Sequence, residues 1–228
     1  MKISEKEIFL FDIDNTILDF DMAEKYGISN VFEFLGFKYT ENDLQEYSKY
    51  NQSLWKKIEQ GEITRDQLFE IRFSTVFKSM KIDVSDEKCK QCEQVYRKYL
   101  KQSYFVCDGA QELLSKLKNM GKRLYTVSNG LAETQYKRLE GSGIGIFFED
   151  NFISEEIGFQ KPEKKYFEAV FKKIRNFDLQ KAVIVGDNEN ADIKGGKNAG
   201  LTTIFISGKQ SSYADFTFKN LKEFYNSI

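Results

Sequence analysis

Short continuous runs of mostly hydrophobic residues recur along the chain. Each run ends at, or is followed by, a polar residue or a glycine. The clearest runs are IFLF at 8–11, RLYTVS at 123–128, AVIVGD at 182–187 and TTIFIS at 202–207. NFIS at 151–154 is a weaker fifth run. Continuous runs rich in β-branched and aromatic residues are typical of strands in a parallel sheet that is covered on both faces.

Helical patterns lie between these runs. GAQELLSKLKNMG at 109–121 places its leucines on one face of a helix. PEKKYFEAVFKKI at 162–174 contains the only proline of the chain, and we expect Pro162 at the first helical position. Because strands alternate with helices, the pattern predicts an α/β fold with a doubly wound parallel sheet.

The stretch between the first two runs carries a different pattern. It has no comparable strand run, and it indicates helices of about 15–20 residues. Two N-terminal signals, Thr40 with Asp43 and Thr64 with Gln67, have the spacing of capping boxes.

These observations predict two domains in one chain. Residues 20–104 would form a helical domain inserted after the first strand. Residues 1–19 and 105–228 would together form the core that carries the sheet.

Composition and charge exclude several classes of function. Lys and Arg number 34 and Asp and Glu number 35, so the net charge is -1, and no basic run favours binding to a nucleic acid polymer. The chain has no histidine, which excludes Ser-His-Asp catalysis and His-ligated zinc. No apolar stretch approaches the roughly 18 residues of a membrane span. The three cysteines are too few for a disulfide scaffold in a chain of this length. We therefore expect a cytoplasmic protein with no membrane partner, and the sequence leaves monomer and dimer open.

Polar residues capable of chemistry follow the predicted strands, and Lys161 precedes Pro162 at a predicted helix start. In open α/β sheets, ligands bind beyond the carboxyl ends of the strands, so these side chains are expected to converge at one edge. The candidates are Asp12, Asp14, Ser128, Asn129, Lys161, Asp187 and Asp192.

Clustered carboxylates repel one another unless a cation or protons neutralise them. Mg²⁺ prefers oxygen ligands and commonly binds one or two carboxylates together with a substrate phosphate. An aspartate can attack phosphorus to form an aspartyl-phosphate, and a second carboxyl can protonate the leaving oxygen. Asp12 and Asp14, which are two residues apart, suit this division of labour.

Four segments that contain these candidates together resemble the motifs of the haloacid dehalogenase (HAD) superfamily of phosphohydrolases. FLFDIDNT at 9–16 is similar to the first motif, hhhDxDxT, and LYTVSNG at 124–130 to the second, a strand ending in Ser or Thr. The lysine of GFQKP at 158–162 corresponds to the third motif, and IVGDNENADIKGGKNAG at 184–200 to the fourth. The resemblance spans essentially the whole chain and implies a Rossmann-like core.

The resemblance implies a catalytic role for the acidic residues. Asp12 would be the nucleophile and Asp14 the general acid and base. The side chains of Asp12 and Asp187 and the backbone carbonyl of Asp14 would hold Mg²⁺. Asp192 and Asn188 would support the metal, although Ser or Thr is commoner at the position of Asn188.

The same resemblance implies how a small phosphomonoester substrate would bind. Ser128, Asn129 and Lys161 would contact its phosphate. The haloacid dehalogenases themselves lack the second aspartate of the first motif, so Asp14 favours phosphate chemistry over cleavage of a carbon–halogen bond.

The inserted helical stretch resembles the C1 cap of this superfamily. Within that class, FDIDNTILDFD at 11–21 and NQSLWKKIEQGEIT at 51–64 resemble the YjjG-type pyrimidine 5′-nucleotidases. The resemblance implies hydrolysis of pyrimidine nucleoside monophosphates. Trp55 and Arg72 are candidates for contact with the substrate from the cap.

Two other functions remain open on the sequence. One is a phosphatase or phosphomutase for small sugar or organic-acid phosphates, similar to phosphoglycolate phosphatase or β-phosphoglucomutase, because a fold does not fix a substrate. The other is a phospho-accepting signalling domain that resembles a response-regulator receiver. The Asp12–Asp14 pair and the long insertion argue against the receiver.

Overall fold

The centre of the fold is a six-stranded parallel sheet. The structure is a computed structural model that describes residues 2–228, except for the side chain of residue 59. Its strands are β1 (Ile8–Phe11), β2 (Arg123–Ser128), β3 (Asp150–Ile153), β4 (Ala182–Gly186), β5 (Thr202–Ile206) and β6 (Phe216–Phe218). Every paired neighbour is parallel, in the order β3-β2-β1-β4-β5-β6. This is the order of a doubly wound sheet, which confirms the predicted fold class.

Helices connect the strands and fill the long insertion. Within the described residues they are α1 (Phe20–Leu35), α2 (Glu41–Glu59), α3 (Arg65–Ser79), α4 (Asp86–Lys101), α5 (Ala110–Asn119), α6 (Ala132–Ser142), α7 (Ser154–Ile157), α8 (Lys164–Lys173), α9 (Gly195–Asn198) and α10 (Leu221–Ser227). A π-helical turn, Glu189–Lys194, leads from β4 into α9. None of the described helices is both long and apolar enough to span a lipid bilayer.

The chain divides into two compact units. One unit comprises the chain up to Phe20 together with Tyr104–Ile228, and it contains the sheet. The other comprises Asp21–Ser103 and consists of helices. The predicted boundaries, at 19/20 and 104/105, differ from these by one residue on each side.

Both faces of the sheet are buried, which explains why its strands are continuously apolar. Along β1, Phe9 and Phe11 pack in one cluster with leucines of α5 and with Phe224 of α10. Ile8 and Leu10 point the other way and join a second cluster with Tyr166 and Phe167 of α8. This alternation follows from the two-residue period of a strand.

Three details of the sheet unit differ from the sequence prediction. The fifth run forms β3 one residue earlier than predicted, at Asp150–Ile153. The short edge strand β6 (Phe216–Phe218) was not predicted. Pro162 does not begin a helix, because Glu163 is the N-cap of α8 and the first helical residue is Lys164.

The helical unit confirms both predicted capping boxes. The Thr40 side chain accepts a hydrogen bond from the backbone N–H of Asp43, and the Asp43 side chain accepts one from the backbone of Thr40. Thr64 and Gln67 make the same reciprocal pair at the start of α3. Each box satisfies two backbone donors that the first turn of a helix leaves without a partner.

Candidate active site

Asp12 is the first residue beyond the central strand β1. Its backbone N–H donates to the carbonyl of Val185 at 2.9 Å, which continues the ladder between β1 and β4 by one residue. β1 lies between β2 and β4 in the sheet, so residues that follow these three strands meet at one edge. Asp12 is 7% exposed and therefore lies almost wholly inside the protein.

Lys161 joins this edge from the segment before α8. Its ammonium group donates to Asp12 Oδ1 at 2.6 Å, to Asp192 Oδ1 at 2.6 Å and to the carbonyl of Val127 at 2.9 Å. The residue is 2% exposed, so all three bonds form away from bulk water. The two carboxylates raise the pKa of Lys161 even though burial opposes its charge. Lys161 is therefore a buried cation that holds the carboxylate of Asp12 in place.

Asn129 fixes the backbone of Lys161. Its Oδ1 accepts from the N–H of Lys161 at 2.9 Å, and its Nδ2 donates to the carbonyl of Lys161 at 2.8 Å. This two-point bond connects the end of β2 to the segment that presents the lysine. The side chain of Asn129 thus acts on Lys161, and a contact between Asn129 and phosphate stays a prediction.

Asp192 lies in the π-helical turn after β4 and is completely buried. Its Oδ1 accepts from Lys161, and its Oδ2 accepts from the backbone N–H of Asn188 at 3.1 Å. A Cβ atom on Gly186 would lie 2.3 Å from Asp192 Oδ2, so the carboxylate packs against a position where the chain has no side chain. Glycine at 186 is thus required by this close approach.

Asn188 caps the same turn. Its Oδ1 accepts from the backbone N–H groups of Asn190 and Ala191, each at 2.9 Å. It therefore shapes the segment that carries Asp192, and support of a metal by Asn188 stays a prediction.

Three carboxylates form a candidate metal site. Asp12, Asp187 and Asp192 each contribute one oxygen, and these three oxygens lie within 4.8 Å of one another. Thr16 Oγ1 is 3.3 Å from Asp12 Oδ2 and 3.4 Å from Asp187 Oδ1. Burial and the neighbouring carboxylates raise the pKa of Asp12 well above its ordinary value, and Lys161 opposes this rise. Burial, and then the charge of Asp192, raise the pKa of Asp187 to about 7.

This donor set fits a hard divalent cation. Three carboxylates surround the site, and among the groups named above only Lys161 is positively charged. A dication would balance the remaining charge and remove the repulsion that raises the pKa of Asp187. This side-chain group contains Asp192, whereas the predicted ligands were Asp12, Asp187 and the backbone carbonyl of Asp14.

Asp14 is held by two residues that the sequence analysis did not identify. Arg138 Nη1 donates to Asp14 Oδ1, and Gln135 Nε2 donates to Asp14 Oδ2 at 2.6 Å. Gln135 and Arg138 are 1% and 0% exposed and lie three residues apart on α6, the helix that follows β2. The signal available in the sequence was a pair of long polar residues at helical spacing, directly after the second motif.

Ser128, the last residue of β2, is buried beside this pair. Its Oγ accepts from the backbone N–H of Gly130 at 3.0 Å and from Gln135 Nε2 at 2.8 Å. Gln135 therefore joins Asp14 to Ser128. Asp12 and Asp192 are joined through Lys161 by a second set of hydrogen bonds at the same edge of the sheet.

The two candidates in the helical unit have different environments. Trp55, on α2, is partly exposed. Arg72 is 2% exposed, and its guanidinium forms a buried ion pair with Glu93 through Nε at 2.9 Å and through Nη2. Its Nη1 lies 3.4 Å from Asn51 Oδ1. Arg72 thus has a structural role inside the helical unit, and contact of either residue with a substrate stays a prediction.

Comparison with known proteins gives a consistent family. A family model described as "Hydrolase: haloacid dehalogenase-like hydrolase" matches residues 6–200. The putative HAD-hydrolase YfnB of Bacillus subtilis is 42% identical over 198 residues, which cover 87% of this chain and 83% of that protein. Its magnesium-bound crystal structure superposes with a TM-score of 0.89 at 39% identity and covers 97% of both chains.

Two further relatives have named activities. The pyrimidine 5′-nucleotidase PynA of Streptococcus pneumoniae is 34% identical over 205 residues, covering 88% of this chain and 84% of that protein. The pyrimidine 5′-nucleotidase YjjG of Escherichia coli is 30% identical over 197 residues, covering 86% and 84%. The match therefore extends over most of each relative.

Proposed function

The chain belongs to the haloacid dehalogenase-like hydrolases, and we propose that it is a Mg²⁺-dependent phosphomonoesterase that acts on nucleoside 5′-monophosphates, with pyrimidine nucleotides preferred. The observation that carries the proposal is the contact between Lys161 Nζ and Asp12 Oδ1 at the centre of a three-carboxylate group. It combines a nucleophile with positive charge for a phosphate and oxygen ligands for a metal. The partner is a small molecule.

In the first half-reaction, Asp12 attacks the phosphorus atom and forms an aspartyl-phosphate. The bond between phosphorus and the 5′-oxygen breaks, and Asp14 in its protonated form gives its proton to that oxygen. The nucleoside leaves as a neutral alcohol. Asp14 is partly exposed, so its carboxyl can meet a substrate that enters from solvent.

In the second half-reaction, Asp14 has become a carboxylate and takes a proton from a water molecule. The water attacks phosphorus, the bond to Asp12 breaks, and inorganic phosphate is released. Both aspartates return to their initial states.

The remaining residues bind and orient the phosphate. Lys161 supplies positive charge next to Asp12, and the Ser128 hydroxyl supplies a hydrogen-bond donor. Asp12 and Asp187 would hold Mg²⁺, which would neutralise charge on the phosphate oxygens. Asp192 keeps Lys161 in place from the other side.

The nucleotide preference is supported by the relatives. PynA and YjjG are pyrimidine 5′-nucleotidases, and each aligns with more than four fifths of this chain. A nucleobase presents an aromatic face on which an aromatic side chain can stack, with a gain of about 1–3 kcal/mol per base. Trp55 is the candidate for this contact.

A phosphate-release screen tests the proposal. The purified protein is assayed with pyrimidine and purine nucleoside 5′-monophosphates, phosphoglycolate and several sugar phosphates, with Mg²⁺ or with EDTA. We expect the fastest release from pyrimidine nucleotides and loss of turnover in EDTA.

The Asp12→Asn variant is the matched control, because it keeps the shape of the side chain and removes the nucleophile. It should show no turnover with any substrate. Rapid hydrolysis of sugar phosphates with none of nucleotides would contradict the substrate assignment. Conversion of a sugar phosphate without net phosphate release would indicate a mutase.

A further inference from the structure

Gln135 and Arg138 form a buried polar pair that the reaction steps above do not use. Their side chains contact each other, with Arg138 Nη1 donating to Gln135 Oε1 at 3.1 Å. Both side chains also contact Asp14, and Gln135 reaches Ser128 as well. Long polar side chains are rarely buried to this extent unless their hydrogen bonds are satisfied, so the arrangement has to be specific.

The orientation of the Gln135 amide follows from its partners. A guanidinium can only donate hydrogen bonds, so the amide oxygen has to face Arg138. The amide nitrogen then faces Asp14 Oδ2 at 2.6 Å and Ser128 Oγ at 2.8 Å. Its two hydrogens match these two acceptors.

This orientation determines what the Ser128 hydroxyl can do. A hydroxyl has one hydrogen to donate and two lone pairs that accept. Ser128 Oγ already accepts from Gln135 Nε2 and from the backbone N–H of Gly130. Its own hydrogen is therefore directed elsewhere, and phosphate oxygens are strong acceptors.

The same amide also restrains Asp14. Arg138 binds Oδ1 and Gln135 binds Oδ2, so the carboxyl group is held at both oxygens by one face of α6. Gly130 leaves room for this contact, because a Cβ atom there would lie 2.6 Å from Gln135 Nε2. The backbone after β2 thus accommodates the amide that joins the two residues.

We propose that Gln135 is a positioning residue that sets Ser128 as a donor to the substrate phosphate and orients Asp14 towards the leaving oxygen, with Arg138 fixing the amide. The proposal rests on the proposed function, because it assigns the target of Asp14 from that reaction. One amide group then connects phosphate binding with protonation of the leaving group.

The kinetic test compares two leaving groups in the holoenzyme. An alkyl 5′-oxygen has to be protonated as it leaves, whereas p-nitrophenolate leaves without a proton. In Gln135→Met we expect kcat/KM for the preferred nucleotide to fall about 1000-fold, because about 100-fold from general acid catalysis multiplies about tenfold from the weaker phosphate contact. We expect kcat/KM for p-nitrophenyl phosphate to fall only about tenfold, through the weaker phosphate contact of Ser128.

A second variant separates positioning from packing. Gln135→Glu keeps the size of the side chain and an oxygen for Arg138, but an ionised carboxylate cannot donate to Ser128 or Asp14. We expect at least as large a selective loss as in Gln135→Met. Lys137→Met is the matched control on the same helix, where the lysine is exposed, and both kcat/KM values should stay unchanged.

An equilibrium measurement tests the Ser128 half without turnover. Calorimetric titration of inorganic phosphate in buffer with Mg²⁺ should show about tenfold weaker binding to Gln135→Met and to Gln135→Glu. Binding to Lys137→Met should equal that of the unmodified protein. Circular dichroism and melting curves of each variant establish that the fold is intact.

Equal losses for the two substrates together with unchanged phosphate affinity would overturn the inference, since a merely structural residue acts that way. Full activity in Gln135→Glu would overturn it as well. Failure of the proposed function gives a different result, because the unmodified protein would then not hydrolyse nucleotides. In that case the leaving-group comparison uses the alkyl phosphate that the unmodified protein hydrolyses fastest. The phosphate titration still tests the role of Gln135 at Ser128, because it does not depend on the substrate.

Discussion

Replacing Asp187 with Asn should make the stability of the metal-free protein less sensitive to pH. The folded protein raises the pKa of Asp187 from an ordinary value of 3.8 to about 7, first through burial and then through the charge of Asp192. The folded state therefore binds a proton at this group more tightly than the unfolded chain does. Its contribution to stability is complete below pH 3.8 and is lost as the pH rises through about 7.

The size of the effect follows from the two pKa values. Each tenfold difference in proton affinity corresponds to about 1.4 kcal/mol, so the full contribution of Asp187 is about 4 kcal/mol. About 3 kcal/mol of this stability is lost between pH 5 and pH 8. The loss continues up to the folded pKa of about 7 and stops once the folded group has ionised. Asn cannot ionise, yet its Oδ1 can still face Thr16 Oγ1, which lies 3.4 Å from Asp187 Oδ1.

The assay is urea unfolding in EDTA at pH 5 and pH 8, followed by circular dichroism. The free energy of unfolding of the unmodified protein should be lower at pH 8 than at pH 5. This decrease should be about 3 kcal/mol smaller in Asp187→Asn. Asp83→Asn, which changes an exposed aspartate, is the control and should keep the original pH dependence. Added Mg²⁺ should stabilise the unmodified protein more at pH 8 than at pH 5.

An equal loss of free energy of unfolding between pH 5 and pH 8 in Asp187→Asn and in the unmodified protein would contradict the raised pKa of Asp187. Equal stabilisation of both proteins by Mg²⁺ would show that the carboxylate plays no part in binding the metal.

Two further substitutions test how the site is held together. Lys161→Met should lower the free energy of unfolding of the metal-free protein at pH 8 by about 3–5 kcal/mol in urea titrations, because two buried carboxylates lose their cation; an unchanged unfolding midpoint would contradict this. Gly186→Ala should lower kcat at least tenfold and destabilise the fold by about 1–3 kcal/mol, because the new Cβ would lie 2.3 Å from Asp192 Oδ2. Gly208→Ala, where nothing lies within 4 Å of the added atom, should behave like the unmodified protein in both assays.

The parts of the fold that local chemistry specifies could be predicted from the sequence. β1 and β2 occupy the predicted residues because their continuous apolar runs are buried on both faces. The starts of α2 and α3 were predictable because a capping box depends on residues only three positions apart. The edge strand β6 (Phe216–Phe218) was missed because three half-buried residues give no periodic signal.

The residues of the site were likewise predictable only where a local sequence pattern marks them. Asp12 and Lys161 were identifiable because strand ends and motif spacing place them at one edge. The roles of Asn129, Gln135 and Arg138 depend on contacts between residues 32, 121 and 124 positions apart, which a single sequence does not encode in a local pattern. Arg72 was a candidate for substrate contact through the resemblance of the cap, and its ion pair with Glu93 could not be predicted because Glu93 is 21 residues away on another helix.

The most direct test of the account is the chemical identification of the phosphorylated residue. The protein is mixed with its preferred nucleotide and Mg²⁺, quenched in acid during turnover and treated with borohydride, which reduces an acyl phosphate to an alcohol. Peptide mass spectrometry should then find the reduced side chain at Asp12 and at no other aspartate. Reduction at a different carboxylate, or phosphate release with no reduced peptide at any time point, would contradict the claim that Asp12 is the nucleophile.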